Sequence, residues 1–251
     1  MSAEAPRIGQ PLTELWTHFA VDPLGQPLAR RLAGMGAVTP NRLTAVALTL
    51  GVAAAACFAT GRLRTGGVLF LLRFFVDCLD GAVARLQGTC STRGAFFDLG
   101  ADVIGVTAAY AALGWYLVDA GHLALPWLLV LLGLLGIYNW QLGYRKRLAA
   151  RAGLGTGGSA HAWSPSWTPL RQWVGYCERH SVSAVPWAVE AEIATLGLAP
   201  LLVPTAHLPW AIVVALAFYV VADLLNARRI WRIADHLDQH PPSVATEGVA
   251  P

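Results

Sequence analysis

The sequence "DCLDGAVARLQGTCSTRGAFFDLGAD", from Asp77 to Asp102, decides how the chain is interpreted, because it places four aspartates between two strongly apolar stretches. The preceding stretch is "GGVLFLLRFFV", and the following one is "VIGVTAAYAALGWYLV". Carboxylates are rare beside or within membrane helices, and where they occur they usually serve a function. The central question is therefore what these four carboxylates bind.

The composition indicates an all-α integral membrane protein. The 251 residues are 55% hydrophobic and only 13% charged, whereas a soluble domain has about 25% charged residues. Several apolar runs approach the ~20 residues that a helix needs to cross a bilayer. They are too continuous for barrel strands, which alternate in polarity over ~10 residues. The four cysteines form no CxxC pair or Cys/His cluster, which argues against a zinc site.

The apolar runs predict six transmembrane helices. The expected spans are residues 40–60, 66–86, 94–118, 123–143, 185–202 and 210–227. They divide the chain into an N-terminal cytoplasmic or interfacial segment (1–38), a six-helix membrane domain (39–232) and a disordered C-terminal tail (233–251). The N-terminal segment mixes Leu, Trp and Phe with Arg30 and Arg31, and we expect amphipathic helical pieces lying in the membrane interface, interrupted near Pro23 and Gly25.

The distribution of Lys and Arg predicts the orientation. With both termini in the cytoplasm, most basic residues fall in cytoplasmic segments, including the cluster "YRKRLAAR" after the fourth span. Only Arg62 and Arg64 remain on the other side. The link between spans two and three is then cytoplasmic, which places the aspartates near the cytoplasmic face of the membrane.

Each pair of aspartates has helical spacing. Asp77 and Asp80 are three residues apart and Asp98 and Asp102 are four apart, so each pair shares one helix face. If spans two and three run antiparallel, all four carboxylates converge. Two divalent cations would neutralise them, and oxygen ligands favour hard ions such as Mg²⁺, Mn²⁺ or Ca²⁺. A pair of such ions can hold a phosphate during transfer.

The residues around the aspartates fit a phosphate-containing ligand. Gly81, Ala84 and Gly94 are small enough for close approach. Arg85 lies one turn beyond Gly81, and its guanidinium suits a phosphate. Arg73, deeper in the second span, either reaches towards the interface or pairs with a carboxylate.

The spacing resembles the signature of the CDP-alcohol phosphotransferases. The pattern Asp77-x2-Asp80-Gly81-x2-Ala84-Arg85-x8-Gly94-x3-Asp98-x3-Asp102 departs from that signature at no fixed position. The six-span layout and the "TPNRLT" start of span one also look like this family. The resemblance implies an enzyme that transfers a substituted phosphate from a CDP-linked alcohol to a second alcohol and releases CMP.

The resemblance also implies roles for individual residues. Asp77, Asp80 and Asp98 are expected to bind two divalent cations, Mg²⁺ or Mn²⁺, together with Asp102, which is also the expected general base. The residues expected to shape the CDP site are Gly81, Ala84, Arg85, Gly94, Pro40, Asn41 and Thr44. Family members are often homodimers, so a homodimer is a further expectation.

The substrates are left open by the sequence. CDP-diacylglycerol is the expected donor, with CDP-choline or CDP-ethanolamine head-group transfer to a lipid alcohol as the alternative. The phosphatidylinositol-phosphate branch usually has an Arg soon after the last Asp, and here Asp102 precedes "VIGVTAAYA", which disfavours that branch. Arg145, Lys146 and Arg147 are the candidate residues for binding a phosphorylated acceptor. Outside enzymology, the alternative is a divalent cation transporter, which would need acidic or polar residues deep in several helices.

Overall fold

The computed structural model describes residues 14–153, 167–185 and 187–239. All regular elements within these ranges are helices. A π-helical turn at Thr17–Val21 leads into nine α-helices: α1 (Asp22–Ala33), α2 (Pro40–Ala59), α3 (Leu63–Gln87), α4 (Thr92–Asp119), α5 (Leu125–Arg151), α6 (Thr168–His180), α7 (Ala188–Glu192), α8 (Ala199–Leu202) and α9 (Pro209–Gln239). A second π-helical segment, Ile193–Leu198, joins α7 to α8, and a 3₁₀ turn at Thr205–His207 precedes α9.

Four helical segments are long and apolar enough to cross a membrane. They are Pro40–Ala59, Thr92–Asp119, Leu125–Arg151 and Thr205–Gln239. The second predicted span corresponds to α3, whose Arg73, Asp77 and Asp80 reduce its apolar character. The predicted fifth span corresponds to α7, the second π-helical segment and α8, which together are shorter than the ~20 residues of a full crossing. Six crossings therefore remain a prediction.

Two predicted boundaries differ from the observed ones. Helix α1 runs without the expected interruption near Pro23 and Gly25. Pro23 lies in its first turn, where a missing N–H costs nothing, and the helix also continues through Pro27. At the other end, α9 continues through the expected boundary at 232/233 to Gln239, so residues 233–239, which we expected to be disordered, are helical. Residues 1–13, 154–166 and 240–251, which include most of the expected tail, lie outside the described ranges.

The main core packs α2, α3 and α4 against α9. Its largest fully buried side chains include Phe58, Phe70, Tyr110, Ile212 and Tyr219, contributed by α2, α3, α4 and α9. A smaller cluster packs Ala29 of α1 against Leu79 and Val83 of α3. This contact fixes the N-terminal helix on the aspartate-bearing helix.

The turn between α3 and α4 places the two aspartate pairs opposite each other. Gly88 ends α3 in the left-handed conformation (φ 64°), which glycine adopts without a steric penalty. Ser91 then caps α4, since its hydroxyl oxygen accepts a hydrogen bond from the Gly94 N–H at 3.0 Å. Helix α2 packs along both α3 and α4. The three helices thereby bring the C-terminal part of α3 and the N-terminal part of α4 to one end of the bundle.

Candidate active site

Three of the four aspartates form one cluster. Carboxylate oxygens of Asp77, Asp80 and Asp98 all lie within 4.8 Å of one another. Asp77 and Asp80 occupy one face of α3, and Asp98 lies opposite them on α4. One oxygen of Asp77, Oδ1, is buried and has no hydrogen-bond partner among the described residues. Three converging carboxylates and a buried unpartnered oxygen fit a hard divalent cation.

Asp80 is held in place by helix α2. The Thr44 hydroxyl donates a hydrogen bond to Asp80 Oδ2 at 2.5 Å, and it also lies 3.2 Å from the Pro40 carbonyl oxygen. Thr44 and Asp80 are both buried. The first turns of α2 therefore orient one carboxylate of the cluster, a contact that the spacing of the aspartates could not reveal.

Asp102 is oriented differently from the other three aspartates. Its Oδ1 accepts a hydrogen bond from Arg73 Nη2, forming a salt bridge between α4 and α3. Arg73 is only 3% exposed, whereas Asp102 is 41% exposed. From the sequence, Arg73 could either reach the membrane interface or pair with a carboxylate. In the structure it pairs with Asp102.

A cavity of about 370 Å³ opens beside the cluster. This volume is within the usual range for small-molecule sites. Its walls contain Asp80, Asp98 and all seven residues expected around CDP: Pro40, Asn41, Thr44, Gly81, Ala84, Arg85 and Gly94. Residues from α2, α3 and α4 thus surround a single space next to the carboxylates.

The link between α3 and α4 supplies walls that sequence reasoning missed. Gln87, Thr89, Cys90 and Ser91 also line the cavity. The Gln87 side-chain amide donates to the carbonyl oxygens of Ala33 (3.3 Å) and Val38 (3.0 Å), which ties the end of α3 to the segment before α2. The polar composition of "QGTCSTR" was the available signal.

The basic residues expected to bind the acceptor lie outside the wall of this cavity. Arg145, Lys146 and Arg147 are in the last turns of α5 and are not among the residues lining the cavity. The Arg145 guanidinium donates a hydrogen bond to Asn226 Oδ1 of α9 at 2.5 Å. The structure therefore joins this basic group to α9.

Comparison with known proteins identifies the family. Residues 37–165, just over half of the chain, match the family described as CDP-alcohol phosphatidyltransferase. The chain belongs to this family. The matched region contains α2 to α5, and with them all four aspartates and every cavity residue named above.

Three similar curated proteins are named phosphatidylinositol phosphate synthase or archaetidylinositol phosphate synthase. A phosphatidylinositol phosphate synthase from Corynebacterium glutamicum is 40% identical over 95 residues, which are 37% of this chain and 42% of that protein. One from Mycolicibacterium smegmatis is 33% identical over 146 residues, or 57% and 64% of the two chains. An archaetidylinositol phosphate synthase from Pyrococcus horikoshii is 33% identical over 134 residues, or 52% and 66%. The matches thus span less than two thirds of the relatives' length, and these relatives carry the name of the branch that the sequence after Asp102 disfavoured.

Solved structures share the fold. The crystal structure of Mycobacterium tuberculosis phosphatidylinositol phosphate synthase with CDP-DAG bound aligns with a TM-score of 0.53 at 22% identity, covering 83% of this chain and 94% of that one. The structure of the same enzyme in complex with manganese and citrate aligns with a TM-score of 0.51 at 22% identity, covering 83% and 89%. At this level of identity the likeness concerns the fold.

Proposed function

We propose that this protein transfers a substituted phosphate from CDP-diacylglycerol to the hydroxyl of an acceptor alcohol and releases CMP, in phospholipid synthesis. The observation that carries the proposal is the cavity between α2, α3 and α4. All seven residues expected around CDP line it, and two of the clustered carboxylates form part of its wall. Membership of the CDP-alcohol phosphatidyltransferase family supports the same reaction.

The carboxylates are proposed to bind two divalent cations, Mg²⁺ or Mn²⁺. Asp77, Asp80 and Asp98 would hold the first, since their oxygens converge within 4.8 Å. Asp102, on the facing helix α4, would contribute to the second. Bound cations would offset the charge of the diphosphate and make CMP a better leaving group.

Binding of the nucleotide and removal of the acceptor proton are assigned to the protein's own side chains. Arg85, on the cavity wall, is proposed to bind a phosphate of CDP, and the small residues Gly81, Ala84 and Gly94 leave room for the nucleotide. Asp102 is proposed to take the proton from the acceptor hydroxyl at a carboxylate oxygen. General bases typically contribute 10²–10⁴-fold to a rate, so Asp102→Asn should lower kcat by about that factor while the protein stays folded. Wild-type turnover in Asp102→Asn would exclude this role.

The acceptor is proposed to be a phosphorylated polyol, with inositol phosphate as the first choice. The names of the curated relatives support it, although their matched regions are partial. Arg145, Lys146 and Arg147 are the proposed phosphate-binding residues. A hydrogen bond to Asn226 holds the Arg145 guanidinium against α9, and guanidinium groups bind phosphate through charge-assisted hydrogen bonds.

The active site is proposed to face the cytoplasm in a six-span protein with both termini inside. The distribution of Lys and Arg supports this orientation. Helix α1 is proposed to lie in the membrane interface, since Arg30 and Arg31 are on its exposed side while Ala29 packs against α3. A homodimer remains an expectation from the family.

The deciding experiment measures CMP release by the purified protein in lipid with Mg²⁺ or Mn²⁺. CDP-diacylglycerol is supplied with inositol phosphate, glycerol phosphate, serine or inositol, one at a time. We expect CMP release that depends on inositol phosphate and stops when the cation is chelated. Release with a different acceptor would correct the substrate. Activity only with CDP-choline or CDP-ethanolamine and diacylglycerol would favour head-group transfer. Absence of CMP release with every pair, together with cation flux in vesicles, would favour a transporter.

A further inference from the structure

Arg73 extends the spacing of the aspartates along α3, and Gly105 extends it along α4. Arg73, Asp77 and Asp80 are separated by four and three residues on α3, so all three share one helix face. Asp98, Asp102 and Gly105 have the same separations on α4. Because the two helices run in opposite directions, Gly105 lies at the level of Arg73.

Two glycines make the space that the Arg73 side chain fills. A Cβ atom on Gly105 of α4 would lie 2.8 Å from Arg73 Nε, closer than real Cβ contacts. A Cβ atom on Gly51 of α2 would lie 3.2 Å from Arg73 Cδ and 3.3 Å from the Cα of Gly105. Any larger residue at position 105 would displace the guanidinium. Helices α2 and α4 therefore form a slot for Arg73, in which Gly105 leaves the space for the guanidinium and Gly51 permits the close approach of the two helices.

The contacts of Arg73 direct it towards one carboxylate. Its Nη2 donates to Asp102 Oδ1, and its Cζ lies 5.6 Å from the centre of the Phe70 ring. Its Nε is buried without a hydrogen-bond partner among the described residues. The slot therefore fixes the guanidinium by shape, and the salt bridge is the directional contact that remains.

We propose that Arg73 is a positioning residue for Asp102, held in the Gly51–Gly105 slot so that one oxygen of the Asp102 carboxylate is engaged and the other faces the reacting groups. This inference rests on the proposed function, in which Asp102 is the base. A salt bridge to one oxygen restricts rotation of the carboxylate, and a buried fork-shaped guanidinium does so better than an ammonium group. A purely structural Arg73 would only offset the buried negative charge.

The experiment compares Arg73→Met, Arg73→Lys and Asp102→Asn with the wild type, measuring kcat, KM and Mn²⁺ binding by electron paramagnetic resonance. Removing a partner that orients a metal-binding side chain typically costs 10- to 100-fold in metal affinity or activity, so we expect kcat of Arg73→Met to fall by about that factor with KM for the donor unchanged. Arg73→Lys should recover only part of kcat. In the Asp102→Asn background, Arg73→Met should cause no further loss, because there is no carboxylate left to position.

Mn²⁺ binding distinguishes an Arg73 that orients Asp102 from an Arg73 that keeps the carboxylate cluster folded. Arg73→Met removes a positive charge beside the carboxylates, so it should bind Mn²⁺ at least as tightly as the wild type. Loss of Mn²⁺ binding together with activity would show a structural role and overturn the proposal, as would a kcat within twofold of the wild type. If the wild type itself releases no CMP but Arg73→Met still binds Mn²⁺ more tightly, the proposed function fails while the link between Arg73 and the carboxylates stands.

The slot provides a second test that leaves Arg73 in place. Gly105→Ala should displace the guanidinium and lower kcat to a similar extent as Arg73→Met. Gly133→Ala in α5 is the matched control, because a Cβ atom there would meet nothing within 4 Å. Equal activity of both alanine variants would show that the slot does not orient Arg73.

Discussion

The polar residues buried among α2, α3 and α4 and those buried between α5 and α9 differ in how directly the sequence indicates them, although both regions contain buried polar atoms without hydrogen-bond partners among the described residues. In the region of α2, α3 and α4, every aspartate has a counterpart at regular spacing on a facing helix, and a cavity opens beside them. Between α5 and α9, Gln141 Oε1 and both carboxylate oxygens of Asp223 are buried without hydrogen-bond partners among the described residues. The first region is specified by a motif along the chain, whereas the second depends on which faces of two distant helices meet.

The largest effect is expected from Asp80→Asn, which keeps the shape and the bond to Thr44 but removes a charge from the carboxylate cluster. Metal ions contribute several kcal/mol to such reactions, so CMP release should fall by about 10³-fold. Asp119→Asn, at the exposed far end of α4, is the control and should retain activity. Substantial activity in Asp80→Asn would show that the cluster is not the cation site.

The next largest effect is expected from Arg85→Ala on the cavity wall. Loss of a hydrogen bond from a charged group costs about 1.5–3 kcal/mol, so KM for CDP-diacylglycerol should rise by about 10- to 100-fold with a smaller change in kcat. Arg93→Ala removes the same charge from an exposed position that is not in the wall. If both variants raise KM equally, the effect is one of general charge and not of the cavity.

The regular spacing of the motif explains why the proximity of the aspartates could be predicted from the sequence, while their roles stay predictions. Helical spacing alone places Asp77 with Asp80 and Asp98 with Asp102, and the short polar link requires the two helices to run antiparallel. The partner of Asp102 was not determined, because the depth of Arg73 suits either the interface or a carboxylate. The contact from Thr44 to Asp80 was also missed, since it depends on how α2 packs.

The helix ends and the short segment before α9 were harder to predict for a different reason. Hydropathy detects the apolar part of a helix, but α5 and α9 continue into basic residues that remain helical, such as Arg145 and Arg229. Residues 188–202 are apolar enough to suggest a span, yet the π-helical segment Ile193–Leu198 divides them. Where a helix continues or changes its hydrogen bonding depends on packing that composition does not record.

Arg145→Ala tests whether the α5–α9 region takes part in the reaction. If Arg145 binds the acceptor phosphate, KM for inositol phosphate should rise by about 10-fold while KM for the donor stays constant. Arg151→Ala, an exposed residue of the same basic cluster, should change neither constant. An unchanged KM in Arg145→Ala would restrict the role of Arg145 to its hydrogen bond with Asn226 and leave the acceptor site to be found in the first region.

The smallest effect is expected from Tyr110→Phe, which probes the connection between the two regions. The Tyr110 hydroxyl on α4 shares a 2.8 Å hydrogen bond with the Thr195 hydroxyl in the π-helical segment before α8. Hydrogen bonds between membrane helices contribute about 0.6 kcal/mol on average, so the free energy of unfolding should fall by about that amount in a denaturant titration. CMP release should be unchanged, since Tyr110 is not in the cavity wall. Tyr116→Phe on the same helix, which retains the Tyr110–Thr195 bond, is the control. A large loss of activity in Tyr110→Phe alone would mean that the segment before α9 helps to set the position of the aspartates on α4, and that the two regions act as one.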